Sequence, residues 1–221
     1  MRFQDAAKDA RAVTYAAIQA DPVVARAAGL LADASPTQCL LARAVMNGET
    51  LDPDGWRTMF PTLFEPGIAP AERERSEAIL AASLAIADRG DQARNQLRGA
   101  LVESLTAELL ARRVGAGAVR RERRILFDGV PAEIHPYDVT VERAGAAEAY
   151  DCKWGARGID ADVLHQLDDA RTSAEAEDER LRVALVVFDA ELSCRVRLDR
   201  QTAPHDQTGL VTMESLESLA G

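Results

Sequence analysis

Residues 133–154, EIHPYDVTVERAGAAEAYDCKW, constrain the fold more than any other stretch of the chain. Asp138-Val139-Thr140-Val141 alternates polar and apolar side chains, with β-branched residues where a strand favours them. Gly145 and the small residues around it mark a reversal, and Ala149-Tyr150-Asp151-Cys152-Lys153-Trp154 reads as the returning strand. Successive strand residues point to opposite faces, so Asp151 and Lys153 leave the same one, while Cys152 faces the other way, toward a core. A hairpin sets the start of its first strand beside the end of its second. Asp138 is therefore expected near Asp151 and Lys153, placing two carboxylates and an ammonium at one rim of a sheet.

Before this hairpin the chain reads as helices. Residues 4–19 are alanine-rich, with Val13 and Ile18 as apolar points. Asp21-Pro22 and Ser35-Pro36 each combine a side-chain acceptor at the cap with a proline in the first turn, the chemistry of a helix start. Gly48 is expected to close the second of these helices, in a position that often takes a left-handed residue. Between 51 and 70, prolines and glycines alternate with Trp56, Phe60 and Phe64, which predicts a loop pinned by aromatic rings around one short helix. Another helix follows over 70–89. Residues 1–90 carry no chemistry of their own and read as a helical accessory domain for docking or dimerisation.

A long helix is expected over 91–114. Leu97, Leu101, Leu105 and Leu109 form one apolar row, and Gly99, Glu103, Ala107, Leu110 and Val114 a second. A helix apolar on both sides is normally sandwiched, and a carboxylate in such a row needs a partner. Periodicity alone does not choose between Glu103 and Glu108. Residues 119–127 read as an arginine-rich edge strand ending at the turn signal Asp128-Gly129. After the hairpin come a helix over 159–177 and LRVALVVF at 181–188, nearly all apolar and expected as a strand buried on both faces. A further strand is expected at 192–198, a short one at 209–213 and a last helical turn at 214–219. Residues 91–221 thus form an α/β domain, a mixed sheet flanked by helices.

A chain of 221 residues, 47% of them apolar, can bury a real core in one good-sized domain or two modest ones. Its formal net charge of -10 argues against coating of nucleic acid by bulk electrostatics, though not against a local basic groove. Cys39, Cys152 and Cys194 are odd in number and widely spaced, which fits reduced thiols and neither a disulfide frame nor a zinc site. No apolar run is long enough to span a membrane, and no signal peptide is expected. The expected setting is cytoplasmic.

Taken in order, the elements are a helix with a glutamate, a strand, a strand with an aspartate, a strand with Asp-x-Lys, a helix and a buried strand. That order resembles the PD-(D/E)xK, or restriction-endonuclease-like, nuclease superfamily, and most closely its Mrr-like branch. There the leading helix typically reads Gly-x-x-apolar-Glu and ends Leu-Leu-x-x-x-Gly. Here Gly99-Ala100-Leu101-Val102-Glu103 and Leu109-Leu110-Ala111-Arg112-Arg113-Val114-Gly115 follow that layout with one residue of slack. The resemblance favours Glu103 over Glu108 as the helix acid. It makes Asp138 the motif aspartate, Asp151 the second acid and Lys153 the lysine, with Gln166 in the place of a glutamine on the next helix. The chain departs from the pattern at Tyr137, with the proline one earlier at Pro136, at Asp151, where Glu or Gln is commoner, and at Ala170, where some relatives carry tyrosine.

What the resemblance implies is a Mg2+- or Mn2+-dependent endonuclease acting on phosphodiester bonds. Asp138, Asp151 and Glu103 would hold the metal in an oxygen-rich shell, and Lys153 would orient a water or help deprotonate it. Nucleic acid is the expected substrate, DNA before RNA, in restriction or phage defence. A homodimer, or a complex with a partner such as an ATPase, is the expected working form. The alternative is a catalytically inactive nuclease-like module that binds or scaffolds with a partner protein. In plainer readings, Asp138, Asp151 and Lys153 form an ordinary cross-strand ion pair, Glu103 pairs within the helical domain, and Gln166 is structural. Arg112, Arg113, Arg120, Arg121, Arg123 and Arg124 would either meet phosphates or guard an edge strand against aggregation.

Overall fold

The computed structural model describes residues 1–6, 10–128, 130–131, 135–143 and 145–221, with side chains at 10–13, 130 and 131 also left aside. Gly129 of the expected turn, and positions 133, 134 and 144 of the hairpin stretch, lie outside the described residues. The chain divides into two compact units, 10–105 and a second made of 1–9 with 106–221. Among the described residues, in chain order, a strand β1 (Arg2–Asp5) precedes the helices α1 (Ala10–Gln19), α2 (Pro22–Leu31), α3 (Pro36–Asn47), α4 (Pro53–Met59), α5 (Pro61–Phe64), α6 (Pro70–Ala87) and α7 (Asp91–Val114). Then follow β2 (Val119–Phe127), β3 (Val130–Pro131), β4 (Tyr137–Val141), β5 (Ala147–Lys153), α8 (Ala161–Ala176), β6 (Leu181–Val187), α9 (Glu191–Leu198) and β7 (Gly209–Val211). The architecture is α/β, a helical region followed by a mixed sheet with flanking helices. Among the described residues no helix is long and apolar enough to cross a membrane.

Local chemistry sets the boundaries in the helical unit. Asp21 caps α2 by accepting from Val23 N at 2.9 Å, and Ser35 and Gln38 form a reciprocal capping box at the start of α3. Gln38 is buried because its amide also serves a second helix: Nε2 donates to Ser76 Oγ of α6 at 2.9 Å. Around that link Val24, Leu41, Val45, Ile79, Leu80 and Ile86 are buried almost completely. The stretch expected to hold one short helix holds two, because Pro53 and Pro61 each start one. Gly48 closes α3, yet with φ of -73° it is not left-handed. A Cβ there would stand 2.6 Å from Trp56 Cζ2, so the glycine makes room for the buried indole.

The sheet unit is organised as β1-β2-β4-β5-β6-β7, with β3 pairing the far end of β2. The β1-β2, β2-β4 and β4-β5 pairs are antiparallel; β5-β6 and β6-β7 are parallel. The crossover α8 begins at Asp160, whose carboxylate accepts from Val163 N at 3.0 Å. It buries Leu164, Leu167, Ala170 and Ala174 in a core with Ala149, Val183, Leu185 and Val187. The last nine residues of α7 belong to this unit and are tied to β5. Cys152 Sγ meets Thr106 Oγ1 at 3.5 Å, and Arg113 donates to both oxygens of Glu148 at 2.9 and 2.8 Å.

Two further expectations are overturned. β2 is not an edge strand: Arg2–Asp5 pairs with it from Arg2↔Leu126 to Asp5↔Arg123, in a stretch partly expected to be helical. A four-residue strand without β-branched residues is stabilised by its neighbour and not by its own propensity. Residues 192–198, expected as a strand, lie in helix α9. Leu192, Cys194, Val196 and Leu198 do alternate, but Leu192 is 75% exposed, and Glu191 and Arg195 form an i,i+4 ion pair that a helix brings together.

Candidate functional site

The hairpin forms as expected, and its register decides where the acids go. Val139 pairs with Tyr150 and Thr140 with Ala149, so one further step sets Asp138 opposite Asp151. The ladder stops there. In place of a backbone acceptor, Cys152 N donates to Asp138 Oδ2 at 2.6 Å. Asp138 thus ties two strands where regular pairing ends.

Asp151 is 5% exposed, and its Oδ1 forms an ion pair with Lys153 Nζ from the same strand face. Burial pulls the Lys153 ammonium downward, but Asp151 and then Asp138 outweigh it and raise the group well above the ordinary lysine value. Lys153 therefore keeps its proton throughout the neutral range. That suits a fixed positive charge and not a resident base. The segment beyond Lys153 is held by Trp154, stacked on Phe188 with ring centroids 5.1 Å apart, and by Asp189, whose Oδ2 accepts from Ala156 N at 2.9 Å.

Across the other side of β4, Glu122 lies between the pairs Arg121↔Val139 and Arg123↔Tyr137. It has φ of +52°, a left-handed conformation that costs a residue with a Cβ of order 1–3 kcal/mol. Glu122 and Asp138 bring carboxylate oxygens within 4.8 Å of each other, in an acidic cluster that could hold a metal ion. Such oxygens are hard donors of the kind Mg2+ and Mn2+ prefer, and Cys152, the nearby soft donor, is buried against Thr106. The donor set fits the metal that the resemblance implies, with Glu122 as a member that the sequence did not single out. In the sequence it is one acid inside the run Arg-Arg-Glu-Arg-Arg, and nothing in that pattern signals a ligand.

The two glutamates of α7 are different in kind. Glu103 is 4% exposed and accepts from Tyr15 Oη and, at 2.6 Å, from Gln19 Nε2, both on α1 of the same unit. Glu108 is exposed and pairs with Arg112 at 3.4 Å. Gln166 is buried and structural: its amide donates to His135 O at 3.1 Å and accepts from His135 N at 3.2 Å, fixing the chain where it enters β4. Several of the clustered arginines are matched with acids. Arg113 meets Glu148, and Arg123 meets Glu142 and Asp5. The half-buried Glu148 stays below the usual carboxylate range because the Arg113 and Tyr150 hydrogen bonds outweigh its burial.

These elements define an α/β protein whose mixed sheet carries an acidic cluster, compatible with a PD-(D/E)xK fold. No protein-family model and no curated protein matches the chain. A crystal structure of protein VC1899 from Vibrio cholerae is similar to it at 15% identity and a TM-score of 0.47, over 99% of this chain and 56% of that one. The chain thus spans little more than half the length of that protein.

Proposed function

We propose that the chain is a metal-dependent nuclease that hydrolyses phosphodiester bonds of DNA, in restriction or phage defence. The observation that carries this reading is the charged lysine held by Asp151 and drawn by Asp138 where the β4-β5 ladder opens. It stands at the carboxyl end of β5, beside a parallel partner, where ligands of α/β sheets commonly bind.

Asp138 and Glu122 would hold the cation. The metal, when bound, supplies a more acidic water and polarises a phosphoryl oxygen. Lys153 Nζ keeps its proton and presents a positive charge to the phosphate in the transition state. Asp151 orients that ammonium, and Asp138 Oδ2 keeps β4 and β5 together beside it.

Purified protein given DNA or RNA with Mg2+ or Mn2+ is expected to cut the DNA, and Lys153→Ala and Asp138→Ala to abolish cutting. Cleavage that survives both substitutions discards the assignment. So does the absence of Mn2+ uptake in calorimetry, which instead fits a nuclease-like binding module.

A further inference from the structure

We infer that Arg157, carried on the turn that closes over the Lys153 stem, is a phosphate contact that seats the DNA backbone beside the lysine. This rests on the reading of the β5 end as a nuclease site given above. β5 ends at Lys153 and α8 begins at Ala161, and between them the chain makes one 3-10 turn, Ala156–Gly158. The turn is closed internally: Gly158 N donates to Gly155 O at 2.9 Å, and Ile159 N to Ala156 O at 3.1 Å. It is also tied to its neighbours. Asp189, just past β6, accepts from Ala156 N at 2.9 Å, and Ile159 O accepts from Arg197 Nε of α9 at 2.9 Å. Ala156 and Ile159 are buried, whereas Arg157 between them is exposed.

The turn lies against the lysine itself. A Cβ at Gly158 would stand 3.0 Å from Lys153 Cδ and 3.2 Å from its Cβ and Cγ. Glycine thus lets the backbone press on the stem of the ammonium, and Arg157 is the next residue along. The arginines Arg113, Arg123, Arg171 and Arg195 of the same unit each meet an acid. Among the described residues Arg157 has no such partner, so its fork of donors is open to an anion from outside. A guanidinium matches the paired oxygens of a phosphate better than an ammonium does. Carried on a turn already fixed at both ends, it loses less freedom on binding than it would from a loose loop. Two cations of different kind then stand together: Lys153, neutralised by aspartates, at the reacting phosphate, and Arg157, unneutralised, on the backbone beside it.

The test is the salt dependence of DNA binding by the full chain. Fluorescence anisotropy of a labelled duplex is followed with Mg2+ between about 50 and 200 mM NaCl. Lys153→Gln, which keeps much of the stem and removes the charge, serves as the non-cutting background. Adding Arg157→Gln should weaken binding about 10-fold and reduce the slope of log K against log salt by about 1, the signature of one lost phosphate contact. Arg157→Lys should keep the slope, because a point charge still displaces a counterion, while binding less tightly than the fork. In the protein with Lys153 intact, Arg157→Gln should raise the KM for DNA about 10-fold, with Mn2+ affinity and melting temperature at wild-type values. An unchanged slope in Arg157→Gln, with cutting by the wild type, overturns the contact and leaves the nuclease site standing. A slope that falls as far in Arg157→Lys as in Arg157→Gln also overturns it. A slope that falls only in Arg157→Gln, in a protein whose wild type cuts nothing, upholds the contact and removes the nuclease reading. Absence of DNA binding by both the wild type and Lys153→Gln removes both.

Discussion

Strand β5 carries two charged groups three residues apart, and they are built differently. At Glu148 the ladder is regular: Glu148 pairs with Val141 of β4 and Arg182 of β6. Arg113 Nη2 donates to both of its oxygens, and Tyr150 Oη adds a third hydrogen bond. At Asp151 the regular pattern with β4 has ended. A side chain, Asp138, takes the backbone N–H of Cys152, Glu122 opposite Asp138 is left-handed, and one lysine draws on two aspartates. Both groups are largely buried and both contain an ion pair. What separates them is that backbone regularity is given up at only one. Strain of this kind persists where the surroundings hold it, and it collects at sites that bind or react.

The comparison breaks if the two groups respond alike to substitution. The largest expected effect is on cleavage: Asp138→Asn should lower it by about 10²–10³-fold, the scale of removing one electrostatic stabiliser. The asparagine retains an oxygen acceptor for Cys152 N, so the melting temperature should change little. A loss of stability equal to that of an Arg113 variant would make Asp138 another structural pair. Arg113→Ala should do the reverse. Removing one partner of a buried ion pair costs about 3–5 kcal/mol, and these side chains are 24% and 12% exposed, so about 2 kcal/mol is expected. That lowers the melting temperature by about 4–8 °C for a chain of this size, with Mn2+ affinity and cleavage unchanged.

A smaller effect separates the groups by pH. Burial raises Glu148, but the Arg113 and Tyr150 hydrogen bonds outweigh it and hold its folded value below the ordinary 4.5. A depressed acid contributes stability that is complete above its unfolded pKa and is lost as pH falls through the folded one. Glu148→Gln should therefore be less stable than wild type at neutral pH. The gap should narrow as pH falls below the ordinary 4.5 and close once the native carboxylate, held lower, takes up its proton. Melting temperatures across pH 3–7 measure it, and a gap that stays constant would remove the Arg113-Glu148 pair as its source.

The two groups also differ in how much of them could be read from residues. Helix α7, strand β2 and the β4-β5 hairpin follow from periodicity, and Asp151 and Lys153 on one face follow from the two-residue repeat of a strand. Strand β1 did not, because Arg2–Asp5 has no strand signal and depends on β2 for its partners. Helix α9 was hidden by an alternating pattern, and only its i,i+4 charges spoke for a helix. Tyr15 and Gln19 sit in an alanine-rich helix where nothing marks them, since the carboxylate they donate to is more than 80 positions away. Glu122 was concealed twice, by the arginines around it and by a backbone conformation that no residue-type preference for glutamate predicts.

Glu122 offers the finest cut between the two groups. In a left-handed conformation, glycine has no Cβ penalty and asparagine only a small one. Glu122→Gly and Glu122→Asn should therefore retain the fold. Relief of strain should raise stability by about 0.5–1 kcal/mol, offset in the glycine variant by greater freedom of the unfolded chain. Each variant also withdraws a carboxylate from the pair with Asp138, so Mn2+ binding should weaken as stability holds or rises. Opposite movements of melting temperature and metal affinity would mean that the strain at Glu122 is maintained for the cation. If both fall together, the residue is part of the sheet's framework, and the irregular end of β5 differs from the regular one in geometry alone.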